Sequence, residues 1–460
     1  DSMFGKALLA LSLLAVASAD PLRVTGISWN AGSTSMTPDF AATLVSGLRA
    51  EQQVADAHIV PDIAFFALQE HKFRMPVGAV DDADPVHVTG NMLKDAVKNV
   101  YLPAEQQAVL AAAEQQGTGF AAKRMGSTEL YVVNANPQVV RMQTMYTKRS
   151  DQSKGREADN KGGVCALVSV TKTSRVMGAI EAHEYSVLFV SVHLSFKGSS
   201  LNRALSLARI MRDCLPPQGV VPDQIVIAGD VNSRVAYLRP QDWPSFEEAL
   251  AAGEPLDAVD EFSVLLSQAD PVAARSPLYV SMPSGKLELA TDTRALLRAR
   301  RGRWIVSADG HRMEISSFSL AYFMTAVGLF EPPVTFGPSY KRVPASKCAA
   351  LATKLRGQPV GQAIPTNKGS GRVQCEALEL PDDDASRQEA LRLAGGNEAL
   401  MAEPIFKSCV MSGCYKNAKI SDKKHNPAHT DRVVVPSSSR VLKYDILHVL
   451  GVESDHSPVH

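Results

Sequence analysis

Ile225-Val226-Ile227-Ala228-Gly229-Asp230-Val231-Asn232 is a short apolar run that breaks off into an acid and an amide. Four such apolar residues are too few for a helix but enough for a buried strand. Residues 24–29, 63–68, 164–170 and 187–192 read the same way, rich in Val, Ile and aromatics. Helical patterns alternate with them. Between 201 and 215, Leu201, Leu205, Ala208 and Cys214 recur at helical spacing before Pro216-Pro217 stops the pattern. A second helix is expected at 384–394, after Pro381 and three aspartates and before Gly395-Gly396. Sheets inside with helices outside, an α/β architecture, follow from this mixture. Residues 146–160 are polar and charged and are expected to form an exposed loop. Residues 345–425 hold clustered cysteines, Gly, Lys and the short helix, and read as an insertion pinned by disulfides. No internal repeat or heptad pattern is present.

The strand-like runs share one property: each ends in polar residues. Asn30 follows the first, Gln69-Glu70 the second, His193 another, and Asp230-Val231-Asn232 the run quoted above. Asp431-Arg432 leads into Val433-Val434-Val435, and Ser454-Asp455-His456-Ser457-Pro458 lies near the end of the sequence. Ligand and catalytic groups gather at strand ends. Glu70, Asn30 and Asp455 are hard oxygen donors of the kind Mg²⁺ takes, a cation that binds few protein ligands and keeps waters for a substrate phosphate. Asp230 is suited to take a proton from an attacking water, with Asn232 holding that water or a phosphate oxygen. His193 and His456 can donate hydrogen bonds to phosphoryl oxygens, and Asp431 can orient and charge His456. Singly each is weak, since an Asp-x-Asn is usually a turn and a strand histidine usually core. Six such pieces in one chain are harder to read as structure alone.

Bulk properties limit the classes. The 460 residues are 45% hydrophobic and 21% charged, as in a globular protein with a core. Lys plus Arg equals Asp plus Glu at 48 each, which argues against a protein that holds nucleic acid by bulk charge. Met3, Lys6, the apolar stretch at 7–17 and Ala17-Ser18-Ala19 read as a secretory signal peptide, with cleavage after Ala19 and a secreted or secretory-lumen location. The six cysteines suit disulfides in a secreted chain, and no Cys-x-x-Cys or zinc-finger histidine spacing accompanies them. Their connectivity is open.

The order of motifs resembles the inositol polyphosphate 5-phosphatases of the exonuclease–endonuclease–phosphatase (DNase I-like) superfamily. Trp29-Asn30-Ala31-Gly32 is similar to that family's Trp-Asn-x-Gly, Leu68-Gln69-Glu70 to Leu-Gln-Glu, and Gly229 to Arg234 to Gly-Asp-x-Asn-x-Arg. Asn160-Lys161-Gly162-Gly163-Val164 matches without change. Phe336-Gly337-Pro338-Ser339-Tyr340-Lys341 is similar to Phe-x-Pro-Thr-Tyr-Lys, and Pro427-Ala428-His429-Thr430-Asp431-Arg432 to Pro-Ala-Trp-Cys-Asp-Arg. The resemblance covers residues 22–460 around the insertion. It departs at His429-Thr430, at His193-Leu194 running into Ser195-Phe196-Lys197, and in a longer gap after Lys341. A last strand is also expected where the sequence ends at His460.

The resemblance implies a four-layer sandwich of two packed, mainly antiparallel sheets flanked by helices, forming one catalytic domain over 20–460. It implies Mg²⁺-dependent removal of the 5-phosphate from a phosphoinositide or a soluble inositol polyphosphate. Lys341 and Arg432, with Tyr340 and Lys161 nearby, would grip the neighbouring ring phosphate. Arg294, Arg298, Arg300, Arg301 and Arg303 form a basic cluster that suits peripheral contact with an anionic membrane, or else a solvated helix face. Two alternatives stay open: a secreted nuclease or sphingomyelinase-type phosphodiesterase on the same scaffold, and an inositide-binding protein without catalysis.

Overall fold

The computed structural model describes residues 21–32, 34, 36–53, 60–70, 85–115, 118–152, 161–176, 179–195, 200–216, 220–232, 279–281, 287–289, 304–306, 312–314, 329–332, 339–362, 364–365, 372–417, 430–436 and 438–460. The expected leader at 1–19, residues 153–160 of the expected loop, the basic cluster at 294–303, and motif residues 234, 336–338 and 427–429 lie outside them.

The first sheet contains β1 (Val24–Asn30), β2 (Ile63–Gln69), β3 (Phe120–Met125) and β4 (Thr128–Asn134) in the order β1-β2-β4-β3. β1 and β2 run parallel and the other pairs antiparallel. The second sheet takes β5 (Val140–Asp151), β6 (Gly162–Val176), β7 (Ala179–His193), β8 (Gln224–Asp230), β13 (Leu329–Phe330) and β17 (Asp431–Pro436). Its order is β13-β17-β8-β7-β6-β5, with only β7 and β8 parallel. Two short hairpins lie between β8 and β13 in sequence: β9 (Tyr279–Ser281) with β10 (Leu287–Leu289), and β11 (Trp304–Val306) with β12 (Arg312–Glu314).

Why β2 reads as an unbroken apolar run is visible in its two faces. Ile63, Phe65 and Ala67 pack between the sheets with Val164, Ala166 and Val168 of β6, Phe189 of β7 and Val226 of β8. Ala64, Phe66 and Leu68 face the other way, against helices α1 (Pro38–Gln53) and α2 (Pro85–Tyr101). Helix α3 (Ala104–Gln115) follows α2. A strand covered on both faces has no polar side to show. The second sheet is covered in turn by α4 (Ser200–Asp213), whose Ala204, Leu207, Ala208 and Met211 meet Leu167, Leu188, Val190 and Ile227. Helix, sheet, sheet and helix therefore make four layers, as expected.

One expectation fails. Residues 146–151 are not loop but the second half of β5, paired with Leu167 back to Gly162 after an irregularity at Thr144/Tyr146. β5 is an edge strand, and edge strands carry polar and charged residues. Tyr146 donates to the Cys214 carbonyl (2.7 Å) and Ser150 to Asp213 (2.6 Å), so its polar groups are used in docking α4.

The insertion has its own core. Helices α5 (Cys348–Lys354), α6 (Asp384–Leu393), α7 (Glu398–Met401) and α8 (Pro404–Val410) surround Leu355, Val373, Ala390, Leu400, Phe406 and Val410. A small antiparallel sheet of β14 (Ile364–Pro365), β15 (Arg372–Cys375) and β16 (Cys414–Asn417) borders them. Disulfides Cys348–Cys409 and Cys375–Cys414 close it, and Cys165–Cys214 joins β6 to the end of α4. Among the described residues no helix is long and apolar enough to cross a membrane.

Register sets the position of the site. Gly162, His193, Asp230 and Asp431 are successive partners across β6, β7, β8 and β17, one row at one end of the sheet. In the other sheet Asn30 pairs with Gln69 at the ends of β1 and β2. The row depends on Gly229, whose φ of +139° suits glycine and where a Cβ would lie 2.0 Å from the Val192 carbonyl oxygen. Gly229→Ala should therefore lower the urea unfolding free energy by roughly 3 kcal/mol or more, combining strain with a backbone collision. Gly357→Ala, at φ +73° with nothing near its Cβ, should cost only about 1 kcal/mol.

Candidate active site

Two of the expected site residues leave their strands in the left-handed region: Glu70 at φ 54° and Asn232 at φ 50°. For residues other than glycine this conformation is uphill and persists only where surroundings over-determine it. Glu70 N–H donates to the Ser127 carbonyl (2.9 Å), and Asn232 N–H donates to Asp230 Oδ1 (2.8 Å). The turns re-aim the chain just past the strand ends. Glu70 is thereby left with 38% of its side chain exposed beside a group of buried polar residues.

Asp230 is the hub. Its Oδ2 accepts from Asn30 Nδ2 (3.0 Å) and lies 3.5 Å from His193 Nε2. His193 Nε2 is 3.4 Å from Glu70 Oε1, and Lys161 Nζ contacts His193 Nε2 while lying 3.7 Å from Glu70 Oε1. Asn30, Glu70, Lys161, His193 and Asp230, far apart in sequence, thus share one set of contacts. Asn232 Nδ2 donates to the Leu194 carbonyl (2.7 Å), which fixes its amide plane.

Asp431 and His456 make a second unit. His456 Nδ1 and Asp431 Oδ2 are 2.8 Å apart, and Asp431 Oδ1 accepts from the Asn30 backbone N–H (2.8 Å). Burial works against charge on His456, but Asp431, and after it Asp230 and Asp455, raise its pKa to about 9. The Tyr340 ring stacks 4.7 Å from the His456 ring. Lys341 Nζ donates to Asp455 Oδ2 (2.8 Å) and lies 3.5 Å from the Tyr340 hydroxyl. Burial alone would raise the Asp455 pKa, yet His456 and Lys341 hold it below the ordinary carboxylate range.

Of the residues singled out in the sequence, Asn30, Glu70, Lys161, His193, Asp230, Asn232, Asp431 and His456 meet, with Tyr340, Lys341 and Asp455 alongside. Arg432 does not join them. Side chains alternate along a strand, so beside the inward Asp431 it faces the other way, fully buried. There its Nη1 donates to both oxygens of Glu331 (2.9 and 2.8 Å), and Glu331 Oε1 also accepts from the Tyr444 hydroxyl (2.6 Å). Asp455 holds Lys341 rather than completing a carboxylate set with Glu70: among the described residues no three His, Cys, Asp or Glu side chains are arranged to hold a metal.

Three participants were not singled out. Gln69 Nε2 donates to Ser191 Oγ (3.2 Å) and its Oε1 accepts from the Asp230 N–H (3.2 Å), so it bridges the sheets. Ser339 and Thr430 hydroxyls both donate to Asp431 Oδ2 (3.1 and 3.0 Å). Each stands inside a motif that the sequence showed, and adjacency was the available signal.

The oxygens of a kind that Mg²⁺ takes are those of Glu70 and of the Asn30 amide, which accepts from the Gly32 N–H (3.1 Å). Glu70 supplies a half-exposed carboxylate and Asn30 an amide oxygen, and Mg²⁺ is commonly held by one or two protein oxygens plus waters and substrate phosphate.

Comparison with known proteins gives likeness only to solved structures, at low identity. No protein-family model matches the sequence, and no curated protein matches it. Among solved structures, the chain is similar to the inositol polyphosphate 5-phosphatase domain of SPsynaptojanin, solved with inositol (1,4)-bisphosphate and calcium ion, at 13% identity and TM-score 0.42, covering 100% of this chain and 89% of that one. It is similar to a beta toxin from Staphylococcus aureus at 9% identity and TM-score 0.31, covering 95% and 98%. It is also similar to ANGEL2, a 2′,3′-cyclic phosphatase, at 8% identity and TM-score 0.26, covering 94% and 93%.

The raised pKa of His456 has a definite sign. Its protonation stabilises the fold fully below the unfolded value near 6.5, and this contribution is lost as pH rises through about 9. Unfolding free energy should fall across that window. Asp431→Asn should remove most of the fall, as measured by urea titration at a series of pH values.

Proposed function

We propose that this chain is a magnesium-dependent phosphoesterase that removes the 5-phosphate from an inositol ring carrying a neighbouring phosphate. The observation that carries the reading is the Asp230 carboxylate, held by Asn30 and next to His193, with Asp431 opposite it on the adjoining strand and paired to His456. In this reading Asp230, a carboxylate held at the strand end by Asn30 and by the Asn232 N–H, takes the proton of the water that attacks phosphorus. His456, kept protonated near neutral pH by Asp431, donates to the charge spread over the phosphoryl oxygens, and Lys161 adds a fixed positive charge beside His193. Magnesium, bound by Glu70 and Asn30, would supply further charge neutralisation at the scissile phosphate.

Lys341 is the cation that supports a second phosphate on the substrate. Its ammonium, already paired with Asp455 and next to Tyr340, stands on the His456 side of the cluster. Arg432, committed to Glu331, is left out of this reading. The three disulfides are of the kind that persists in oxidising compartments and support, with the leader, a secretory location. The basic cluster at 294–303 is offered as a membrane contact on its sequence alone.

Purified protein should release inorganic phosphate from a 4,5-bisphosphorylated inositol, stop on EDTA and recover with Mg²⁺. Asp230→Ala should reduce turnover by about 10²–10⁴-fold with an unchanged circular dichroism spectrum. Cleavage of DNA or sphingomyelin with no phosphate released from any inositol phosphate would overturn the assignment. Lys341→Met should raise KM for the bisphosphate by roughly tenfold and change KM for a lone 5-phosphate much less.

A further inference from the structure

Among the described residues, one place where the insertion meets the segments of the candidate active site is the turn that follows α8. Helix α8 ends at Val410, and the chain then passes through Ser412 at φ 62°. The Ser412 N–H donates to the Cys409 carbonyl (3.0 Å) and the Gly413 N–H to the Ser408 carbonyl (2.8 Å), a helix end closed by a left-handed residue. Glycine is the usual occupant there, because a side chain makes the left-handed backbone unfavourable. Here a buried serine stands instead.

What the serine does is plain from its contacts. Its hydroxyl and that of Ser457 are 2.7 Å apart, one residue from His456. Its carbonyl accepts from Nη1 of the buried Arg342 (3.0 Å), one residue from Lys341. Ser457 N–H donates to the Ser339 carbonyl (2.8 Å), and Ser339 Oγ donates to Asp431. Around this turn Val343 N–H donates to the Cys414 carbonyl (2.9 Å) and Gly451 N–H to the Val410 carbonyl (3.0 Å). Disulfides at Cys409 and Cys414 hold the turn from both sides.

We infer that Ser412 is a positioning residue: the disulfide-closed insertion uses its hydroxyl and carbonyl to set the segments bearing His456 and Lys341. The inference rests on the phosphoesterase reading for its catalytic consequence, but its structural content does not. A hydroxyl that serves only the fold is expected to move stability and activity together. A positioning hydroxyl at a left-handed residue separates them, because glycine relieves the backbone while removing the contact to Ser457.

Ser412→Gly in the full chain should therefore keep its thermal midpoint at or above that of the native protein. It should lose about tenfold in kcat toward a 4,5-bisphosphorylated inositol, the worth of one buried hydrogen bond, while KM changes less than about twofold. Ser457→Ala should lose a similar factor, and the double variant should lose no more than either single one. A second readout needs no substrate: the downfield Nδ1 proton of His456, hydrogen-bonded to Asp431, should exchange with water faster in Ser412→Gly. Unchanged kcat with an unchanged proton, or loss of activity only in step with unfolding, would overturn the role of Ser412. A native protein inactive on inositol phosphates, whose His456 proton still responds to Ser412→Gly, would instead overturn the functional reading and leave the positioning role standing.

Discussion

Four hydrogen bonds stitch the two sheets together at one end, and the candidate active site exists because of them. Asn30 and Gln69 come from the first sheet; Ser191, Asp230 and Asp431 come from the second. Asn30 gives its side-chain amide to Asp230 and its backbone N–H to Asp431. Gln69 takes the Asp230 N–H and gives its amide to Ser191. All five residues are buried. A polar group removed from water without a partner costs more than a made hydrogen bond gains. Only one alignment of the two sheets pairs them all, so the seam selects that alignment while the apolar layers between the sheets supply the bulk of the driving force.

The same seam concentrates charge where it can act. Asp431 lies 2.8 Å from His456 Nδ1, and its charge, with that of Asp230 behind it, makes the imidazole hold its proton well above its ordinary range. Glu70 and Asn232 are pushed into left-handed turns at the strand exits, backbone strain located at the group of residues with the chemistry. Packing in the layers beneath offsets that strain. On the far side of the second sheet, Arg432 and Tyr444 are buried and joined through Glu331.

The insertion is a further layer of support. It closes its own small core with two disulfides and then presents Ser412 and Tyr415 to the segments bearing Lys341 and His456. Its length between two motifs made it look like an addition to the scaffold. Its contacts place it among the elements that hold the site in shape.

Much was legible before any coordinates. The apolar runs at 24–29, 63–68 and 225–228 are strands within a residue or two of their expected limits, and the acids and amides that end them converge. Strand periodicity and burial are local properties, so neighbouring residues report them. Residues 146–151 were misread because an edge strand uses polar side chains, and whether a strand is at an edge depends on what lies beside it. The resemblance of its motif placed Arg432 at the substrate, yet alternation along β17 turns it from Asp431 toward Glu331. The pairing of six cysteines, the bridging by Gln69 and the meeting of Ser412 with Ser457 all join residues dozens to hundreds of positions apart. By itself, then, the sequence showed the buried apolar strands, though not the polar edge strand, and the chemical groups that stand at their ends. Only the tertiary structure decided which face each group takes and which distant partner satisfies it, since burial demands a partner but says nothing of where along the chain that partner lies.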